Sequence, residues 1–463
     1  MKAALALFLV TAFHASAANL VDRGPWAGAL TPTSAVVKAK LSVPAATVRL
    51  ALSKNTDLSR AFYVRARATE SPIATFEVRD LEPNRYYYYA VESTGSLDQQ
   101  HRGRFRTYPT GITSFNFAFA SCARTASAHP VFQTILQNTP LFFLHVGDLH
   151  YLDIKQNNLD AFRRGYDLVL GSPTQSALYR NVPFVYMWDD HDFGGNDSNA
   201  EADVHQAARL TYQEYVPHYP LVAGSGNVPI HHAFTVGRVR FILTDLRSSR
   251  VPITAPDTAD KTMLGRAQKQ WFKSELLAAK GKYPLIFWVT SVPWLGGHGT
   301  NYYPVPVNYS GYAHHRNLPP VPITQGRVYL GGASLPPPED HWSLYSVERR
   351  EIADFVKDNA ITGLCIVHGD AHMLAADNGS NADYATGGGA PIPVIAAAPL
   401  DQAGSIKGGP YSQGIYKPSR GEGCFGLVRV LDYTNSIRVI YSGRNHLNIE
   451  KVALQFEVPV HAE

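Results

Sequence analysis

The feature of this sequence that most constrains its fold is a series of short apolar runs separated by segments with helical periodicity. The runs lie at residues 115–120, 141–146, 184–188, 239–244, 285–289 and 364–367. Continuous apolar runs of this length are typical of strands that are covered on both faces. Between the last two runs, residues 346–351 predict the start of a helix with Ser346 as its cap. Ile352, Phe355 and Val356 form its apolar stripe, and the alternation predicts an α/β domain with a layered sheet.

The region before these runs has a different pattern. Short strand-like segments alternate with turn residues, as at 34–41, 47–53 and 86–91. This pattern is typical of a small all-β sandwich. Residues 81–86 resemble the turn and the tyrosine that open a late strand of fibronectin type III domains, and residues 103–107 resemble their last strand.

The length of 463 residues exceeds what one hydrophobic core usually organises. We therefore predict a β-sandwich domain at 19–108, a linker around Pro109 to Gly111 and a larger domain at 112–463. Two stretches of the larger domain, 296–340 and 378–423, are rich in Gly and Pro and are interpreted as irregular pocket walls or surface insertions.

The N-terminus has the layout of a secretory signal peptide. Lys2 is followed by an apolar run at 3–13 and by the small residues Ala15, Ser16 and Ala17. We predict a signal peptide at 1–18 and an exported protein, periplasmic or secreted. The alternative is a membrane anchor, but the run is shorter than the ~20 residues that a spanning helix needs, and no later segment is long enough.

Composition restricts the class of partner. Lys and Arg total 42 and Asp and Glu total 38, which gives a net charge of +4 without clustered basic runs. The sequence therefore predicts no nucleic-acid groove and favours a small anion as the ligand. It gives no indication of the oligomeric state.

Three cysteines are too few for a disulfide-stapled scaffold. If Cys122 binds a metal, Cys365 and Cys424 are the only possible pair. Cys365 lies in an apolar run and could equally be buried and unpaired.

Four motifs with metal-ligand chemistry follow apolar runs. They are Ser121-Cys122-Ala123-Arg124, Gly147-Asp148-Leu149-His150-Tyr151, Trp188-Asp189-Asp190-His191-Asp192 and His368-Gly369-Asp370-Ala371-His372. In α/β proteins, ligands gather at the carboxyl ends of strands. Each motif has a commonplace structural explanation when taken alone, but the ordered set predicts one site.

The residue types in these motifs favour two different metal ions. Asp148 is suited to bridge a metal pair, because the Gly147 turn lets the backbone come close to the ions. A Tyr151 phenolate needs a strongly Lewis-acidic ion such as ferric iron, and a Cys122 thiolate suits iron or zinc. The hard oxygens of Asp189 or Asp190, of Asn196 and of Asp370 would bind a second, harder metal.

The ordered motifs resemble the alkaline phosphatase D (PhoD-type) family of metallophosphatases, relatives of the purple acid phosphatases. The supporting matches are Thr244-Asp245-Leu246-Arg247 with Arg250, Leu264 to Gln268 with Trp271, and Trp342 ahead of Glu348-Arg349. The resemblance runs from about residue 21 to the C-terminus. It implies a layered αββα metallophosphatase sandwich preceded by the small all-β, fibronectin type III-like domain.

The resemblance also implies the cofactors and their ligands. Fe3+ falls to Cys122, Asp148, Tyr151 and His372, and Ca2+ falls to Asp148, Asp370 and Asn196, with Asp189 or Asp190 also possible. The family's bacterial members commonly carry a twin-arginine export signal, whereas this N-terminus has only Lys2. Iron would then be acquired outside the cytoplasm.

The implied function is a metal-dependent phosphoric ester hydrolase acting on phosphate monoesters, diesters or both, with a small-molecule or lipid phosphate ester as its partner. In the expected mechanism, the substrate phosphate bridges two metals. Arg124 is the candidate phosphate clamp and His191 the candidate proton donor to the leaving group.

Two other functions remain open from the sequence. One is a phosphodiesterase or phospholipase D acting on cell-surface or lipid phosphodiesters. The other is an exported binding protein in which the metals only stabilise the fold.

Overall fold

The computed structural model describes residues 21–42, 48–67, 71–93, 95–296 and 340–460. The predicted signal peptide and all but the two ends of the predicted loop at 296–340 lie outside the described residues. Within the described ranges, no helix is both long and apolar enough to cross a membrane.

Eight strands form two small sheets at the N-terminal end of the chain. In chain order they are β1 Val21–Gly28, β2 Ala35–Leu41, β3 Val48–Ser53, β4 Phe62–Arg65, β5 Ile73–Val78, β6 Tyr86–Ser93, β7 Ser96–Leu97 and β8 Gly103–Arg106. One sheet has the order β1-β2-β5, and the other has the order β4-β3-β6-β7 with β8 paired to β6. Their apolar faces bury Leu50, Phe76 and Tyr87 between them. The sheets form the all-β sandwich that the sequence predicts.

The remaining elements form a mixed α/β unit. In chain order they are β9 Phe115–Ala120, α1 Val131–Gln137, β10 Phe143–Val146, α2 Leu159–Gly171, α3 Pro173–Asn181, β11 Phe184–Met187, α4 Asp190–Phe193, α5 His205–Tyr215, β12 His232–Val236, β13 Val239–Leu243, α6 Arg266–Ala279, β14 Leu285–Val289, a 3-10 helix Trp342–Tyr345, α7 Ser346–Asp358, β15 Leu364–His368, β16 Leu374–Asp377, β17 Val394–Ala397, β18 Ile415–Tyr416, β19 Cys424–Asp432, β20 Ser436–Asn445 and β21 Glu450–Pro459.

These strands build two large sheets that pack face to face. One has the order β11-β10-β9-β19-β20-β21, and the other has the order β12-β13-β14-β15-β17-β16-β18. Phe117 of β9 stacks on Phe142, with ring centroids 5.1 Å apart. It also meets Phe241 of β13 and Phe287 of β14 edge-on at 5.4 and 5.3 Å. The centre of the core therefore lies between the sheets.

Helices cover the outer face of each large sheet. Apolar residues of α1, α2, α3 and α5 pack on β9, β10 and β11, and those of α6 and α7 pack on β13, β14 and β15. Alternation along β10 shows how one strand serves two layers, because Phe143 belongs to the helix side and Leu144 to the core between the sheets. The layers are αββα, so the predicted fold class is confirmed.

Two details of the α/β unit differ from the sequence-based expectations. Helix α7 begins at Ser346, but its N-cap is Tyr345, because the 3-10 helix runs directly into it. The Ser346 hydroxyl instead donates to Asp257 Oδ2 at 2.6 Å, so the predicted cap is wrong. The stretch 378–423 contains β17, an interior strand of the seven-stranded sheet, and is therefore not irregular throughout.

All three cysteines are buried and unpaired in the structure. Cys365 and Cys424 both lie in the core between the large sheets. Of the two alternatives for Cys365, the structure has the buried, unpaired thiol and not a disulfide bond with Cys424.

The N-terminal sandwich is attached to the α/β unit by specific contacts. Trp26 stacks on Tyr215 of α5 and donates to its carbonyl oxygen at 2.9 Å. Tyr89 donates to the carbonyl oxygen of Arg180 at 2.9 Å, and Lys38 Nζ donates to that of Glu214 at 2.7 Å. Buried and partly buried hydrogen bonds of this kind fix the relative orientation of the two units.

Candidate metal centre

The four predicted motifs meet where the parallel strands of both large sheets end. Cys122 follows β9, Asp148 follows β10, Asp189 follows β11 and Asp370 follows β15. Strands β9, β10 and β11 are parallel, and so are β13, β14, β15 and β17. Their carboxyl ends therefore lie along one edge of the sandwich.

Hydrogen bonds between these strand ends hold the edge together. The Cys122 backbone N–H donates to Gly147 O at 3.2 Å, and the Asp370 N–H donates to Ser121 Oγ at 3.1 Å. The Asp370 bond crosses from one sheet to the other. The two sheets thus share one site at their common edge.

Several of the chemically important residues have a left-handed backbone. The φ angle is 63° at Cys122, 56° at Asp148, 53° at Asp370 and 48° at His372. Side-chain-bearing residues rarely adopt this region, and such residues concentrate at functional sites. At Gly147, with φ 104°, a Cβ atom would lie 2.4 Å from Asp189 Cβ, so only glycine allows the two turns to approach this closely.

The first group of candidate ligands consists of Cys122, Asp148, Tyr151 and His372. The ligand atoms of the cysteine, the aspartate and the histidine all lie within 4.8 Å of one another. Tyr151 Oη is 2.8 Å from Asp148 Oδ2 and 3.1 Å from His372 Nε2. The structure therefore brings together the four residues predicted to bind iron.

The hydrogen bonds of this group leave lone pairs that face one another. His372 Nδ1 donates to Ala403 O at 2.8 Å, so its Nε2 is unprotonated in the neutral ring. The Tyr151 hydroxyl has one proton and cannot donate it to both Asp148 and His372. A cation at this point would satisfy the oxygen and the nitrogen together, and the Nδ1 bond already orients the imidazole for ligation.

A second group consists of buried carboxylates around Asp148. Ligand oxygens of Asp148, Asp189 and Asp370 lie within 4.8 Å of one another, and so do those of Asp148 and Asp190 with a ring nitrogen of His191. Among the described residues, Asp148 Oδ1, Asp189 Oδ2 and Asp370 Oδ2 are buried without a hydrogen-bond partner. Buried carboxylate oxygens without partners are costly, and metal ions are the usual compensation.

The electrostatics of these groups are unfavourable without a cation. Burial raises the pKa of Asp148 well above its usual range, and Asp190 and Asp189 raise it further. Burial and then Asp148 likewise raise the pKa of Cys122 and of Tyr151. A bound cation inverts this situation, because it favours the deprotonated ligands. The donor set therefore fits metal ions. The thiol, the phenol and the carboxylates could all be deprotonated together only around positive charge, and the neutral imidazole is a ligand as it stands.

The pKa shifts of three other residues of the centre differ in direction and cause. Burial raises the pKa of Asp370 to about 6, although Lys407 opposes the shift. Burial lowers the pKa of His372 to about 4, which keeps its ring neutral and able to act as a ligand. Burial alone would raise the pKa of Asp190, but Arg247 and His191 bring it below the usual value.

His191 is held beside the two groups by a neighbouring carboxylate. Its Nδ1 donates to Asp153 Oδ1 at 2.5 Å, and its ring lies against Tyr151 with centroids 4.1 Å apart. The His191 side chain is mostly buried, whereas that of Asp153 is 45% exposed. The imidazole therefore stands between solvent and the buried acids.

Asn196 and Arg124 are less directly connected to the centre. Asn196 is exposed, and its amide donates to Asp197 Oδ2 at 2.7 Å. The Asp197 N–H in turn donates to Asp190 Oδ2 at 2.8 Å. The Arg124 side chain is exposed, and among the described residues only its backbone makes hydrogen bonds: its N–H donates to Asp401 Oδ1 at 2.6 Å, and its carbonyl oxygen accepts from Ser127 N–H at 3.0 Å.

Sequence reasoning missed a buried ion network behind the centre. Arg247 Nε donates to Asp189 Oδ1 at 2.6 Å, and Arg247 Nη1 lies 2.7 Å from Asp340 Oδ2. Arg250 also pairs with Asp340, and Ser291 Oγ donates to Asp189 Oδ1 at 2.6 Å. In the sequence, both arginines are only supporting matches to the family motifs, because no local pattern places their carboxylate partners near them.

Asp153 and Lys407 also contact the centre without having been predicted. Lys407 Nζ donates to Asp370 Oδ1 at 2.8 Å. The spacing of Asp153, five residues after Asp148, was a usable signal, whereas Lys407 lies in a loop with no recognisable pattern.

A layered αββα sandwich with carboxylates, a histidine and a cysteine at the shared carboxyl edge of its two sheets is the architecture of the metallophosphatase class of folds. The sequence pattern of the PhoD-like phosphatase family matches residues 117–407, more than half of the chain. The chain belongs to the PhoD-like phosphatase family, and the resemblance drawn from the motifs is confirmed.

Individual relatives are distant. The chain is 22% identical over 346 residues to alkaline phosphatase D of Bacillus subtilis (strain 168), a match that covers 65% of this chain and 53% of that protein. It therefore spans about half the length of this curated relative.

Solved structures share the fold. A structure of PhoD matches with a TM-score of 0.71 and 16% identity, over 94% of this chain and 89% of the other. The structure of purple acid phosphatase PPD1 from yellow lupin (Lupinus luteus) seeds matches with a TM-score of 0.58 and 11% identity, over 95% and 75% of the two chains.

Proposed function

We propose that this protein hydrolyses phosphate esters at a two-metal centre. The observation that carries the proposal is the meeting of three buried carboxylates, Asp148, Asp189 and Asp370, with Cys122 and His372. Each of the three carboxylates has one oxygen without a hydrogen-bond partner in the part of the chain that the structure describes. When bound, a metal pair activates water and neutralises charge that develops on the phosphoryl group. Membership of the PhoD-like family and the metallophosphatase fold support this reaction class.

The donor atoms support two unlike ions. Cys122, Asp148, Tyr151 and His372 would hold Fe3+, because a thiol, a phenol and an imidazole together suit a strongly Lewis-acidic transition metal. Asp148 would be shared with Ca2+, whose other ligands are all oxygens.

The calcium ligands that we propose are Asp370 and Asn196, with Asp189 or Asp190 completing the set. The unpartnered oxygens of Asp370 and Asp189 support both as ligands. Asn196 would have to turn from Asp197 toward Asp190 to take part.

His191 would supply the proton that the leaving group needs. The carboxylate of Asp153 accepts a hydrogen bond from His191 Nδ1–H, so Nε2 is the ring nitrogen that gains and loses a proton during the reaction. Transfer of that proton to the departing ester oxygen leaves a neutral alcohol and a neutral imidazole. Asp153 is then a positioning residue, because it acts through His191.

Arg124 remains the candidate phosphate clamp among the residues that follow β9. Its backbone is fixed by Asp401, and its exposed side chain is available to a substrate. We infer a small-molecule or lipid phosphate ester as the substrate and export to the periplasm or the medium, the latter from the N-terminal sequence pattern.

The test measures metal content, the visible spectrum and turnover on the same purified samples. We expect iron and calcium, a tyrosinate-to-iron absorption band, and hydrolysis of p-nitrophenyl phosphate or bis-p-nitrophenyl phosphate. Tyr151→Phe should lose the band and most of the activity, whereas Tyr433→Phe, a change at an exposed tyrosine, should keep both.

The outcomes separate the parts of the proposal. Metal-loaded protein that hydrolyses neither ester would contradict the reaction and favour the binding-protein alternative. Colourless, iron-free protein that hydrolyses an ester would contradict iron alone. Faster turnover of the diester than of the monoester would identify a phosphodiesterase.

A further inference from the structure

Lys407 lies beside the candidate centre, and neither the ligand sets nor the proton transfer uses it. Its Nζ donates a hydrogen bond of 2.8 Å to Asp370 Oδ1. Asp370 is buried, whereas the Lys407 side chain is 27% exposed. The ammonium group therefore connects a candidate ligand to the open side of the site.

The loop that carries Lys407 is bonded directly to the segment that carries the ligands. Ser405 N–H donates to His372 O at 3.0 Å, and Ser405 Oγ donates to Ala371 O at 3.1 Å. His372 Nδ1 closes the same contact by donating to Ala403 O at 2.8 Å. These three bonds hold the loop against the strand end just before Lys407.

The chain is also fixed immediately after Lys407. Gly408 has φ +70°, and a Cβ atom there would lie 2.2 Å from Leu295 O. The next N–H, that of Gly409, donates to Leu295 O at 3.3 Å. Because the backbone is anchored on both sides, the position of Lys407 over Asp370 is built into the fold and is not a chance extension of a surface side chain.

The ammonium group of Lys407 has more donors than Asp370 uses. An ammonium group has three N–H donors, and Asp370 accepts one of them. The group can therefore donate to a further acceptor without leaving Asp370.

The other cations near the centre are placed differently. The guanidinium groups of Arg247 and Arg250 are fully buried and engaged by Asp189 and Asp340. Within the described parts of the chain, Lys407 both touches a candidate ligand and keeps exposed surface, which is the combination that an incoming anion requires.

We propose that Lys407 binds a phosphoryl oxygen of the substrate and positions the phosphate group over Asp370. This role rests on the proposed function. An ammonium group next to phosphate forms charge-assisted hydrogen bonds, which are stronger than neutral ones and partly offset the negative charge that the buried acids bring to the site.

The test measures the affinity of metal-loaded protein for inorganic phosphate by titration calorimetry, together with metal content and melting temperature. Lys407→Met should weaken phosphate binding by at least about tenfold, the loss expected for one charge-assisted hydrogen bond, with metal content and melting temperature unchanged. Lys407→Arg should recover most of the affinity. Lys417→Met is the matched control, because it removes the same charge from an exposed lysine.

Three results would overturn the proposal. The first is an unchanged phosphate affinity in Lys407→Met. The second is a fall in affinity that only follows the loss of metal, which would make Lys407 a support for Asp370 alone. The third is an equal fall in affinity in Lys417→Met. Wild-type protein that binds phosphate but hydrolyses no ester would instead refute the proposed function and leave the Lys407 comparison valid.

Discussion

His191 and Asp153 show how a single residue acquires a role from its neighbour. A histidine after a run of acids has many ordinary explanations, and its position in the sequence does not distinguish them. The hydrogen bond from Nδ1 to Asp153 does, because it fixes which nitrogen exchanges protons beside Asp148 and Asp190. Asp153 itself has a left-handed backbone with φ 48°, which is a costly conformation for a residue with a side chain.

Asp153→Asn should lower kcat by about ten- to a hundredfold for an alkyl phosphate, because a poor leaving group needs the proton most. The loss should be smaller for p-nitrophenyl phosphate, whose leaving group needs little protonation, and metal content should not change. Steady-state kinetics with both substrates checks this. Asp160→Asn is the control, since that side chain is 87% exposed on α2. Equal losses for the two substrates would exclude a role in proton transfer.

Strand β10 connects the packing of the fold to the candidate metal centre. Its four residues alternate between the core and the helix layer, and its end delivers Asp148. His145 lies on the helix side among Phe143, Phe184 and Tyr186, and within the described residues neither of its ring nitrogens has a partner. An imidazole in this position carries a cost that an aliphatic side chain would not.

This cost depends on pH. Burial lowers the pKa of His145 from 6.5 to about 3, so below pH 6.5 the unfolded chain binds a proton that the folded protein does not. Stability is therefore lost as the pH falls from 6.5 toward 3. Between pH 8 and pH 5, the wild type should lose about 2 kcal/mol more unfolding free energy than His145→Leu.

Urea unfolding of both proteins at the two pH values measures the difference. The comparison cancels the titration of the site carboxylates, since both proteins contain them. Parallel pH dependence in the two proteins would contradict the shift at His145.

At the scale of the molecule, the candidate centre joins the two large sheets. Cys122, Asp148 and Asp190 come from the ends of strands in the six-stranded sheet, and Asp370 and His372 come from the end of a strand in the seven-stranded sheet. Metals held by both sets would cross-link the sheets at one edge. Stability and metal binding are then coupled through the whole α/β unit.

Removal of the metals should therefore lower the melting temperature of the protein. An ion present at about a thousand times its dissociation constant adds about 4 kcal/mol to the stability of the folded state. Scanning calorimetry before and after chelation measures the change, and returning iron and calcium together should restore more than either ion alone. In Asp148→Asn this increment should be absent. An unchanged melting temperature after complete metal removal would show that the centre does not link the sheets.

The positions of the main strands can be predicted from local sequence. All six apolar runs contain strands, because a short continuous apolar segment of four to six residues suits a strand that is covered on both faces and is too short for a typical helix. The strands that were not predicted depend on tertiary context: β17 is a short apolar segment inside a Gly- and Pro-rich stretch, and only pairing with β15 and β16 distinguishes it from a loop. The predicted cap of α7 was wrong for a similar reason, because the preceding 3-10 helix is held by the tertiary packing of Trp342 and Tyr345.

The sequence by itself determined the α/β class of this protein and the thiol, phenol, imidazole and carboxylates that follow its strands, and the resemblance of its ordered motifs to a family implied the αββα layers. It could do so because strand ends and ligand types are encoded over a few neighbouring residues. The tertiary structure decided which of these groups meet and how they are supported. Arg247 reaches Asp340 across 93 positions, and Lys407 reaches Asp370 across 37. Such contacts depend on how two sheets and a distant loop pack, and no local pattern records that packing.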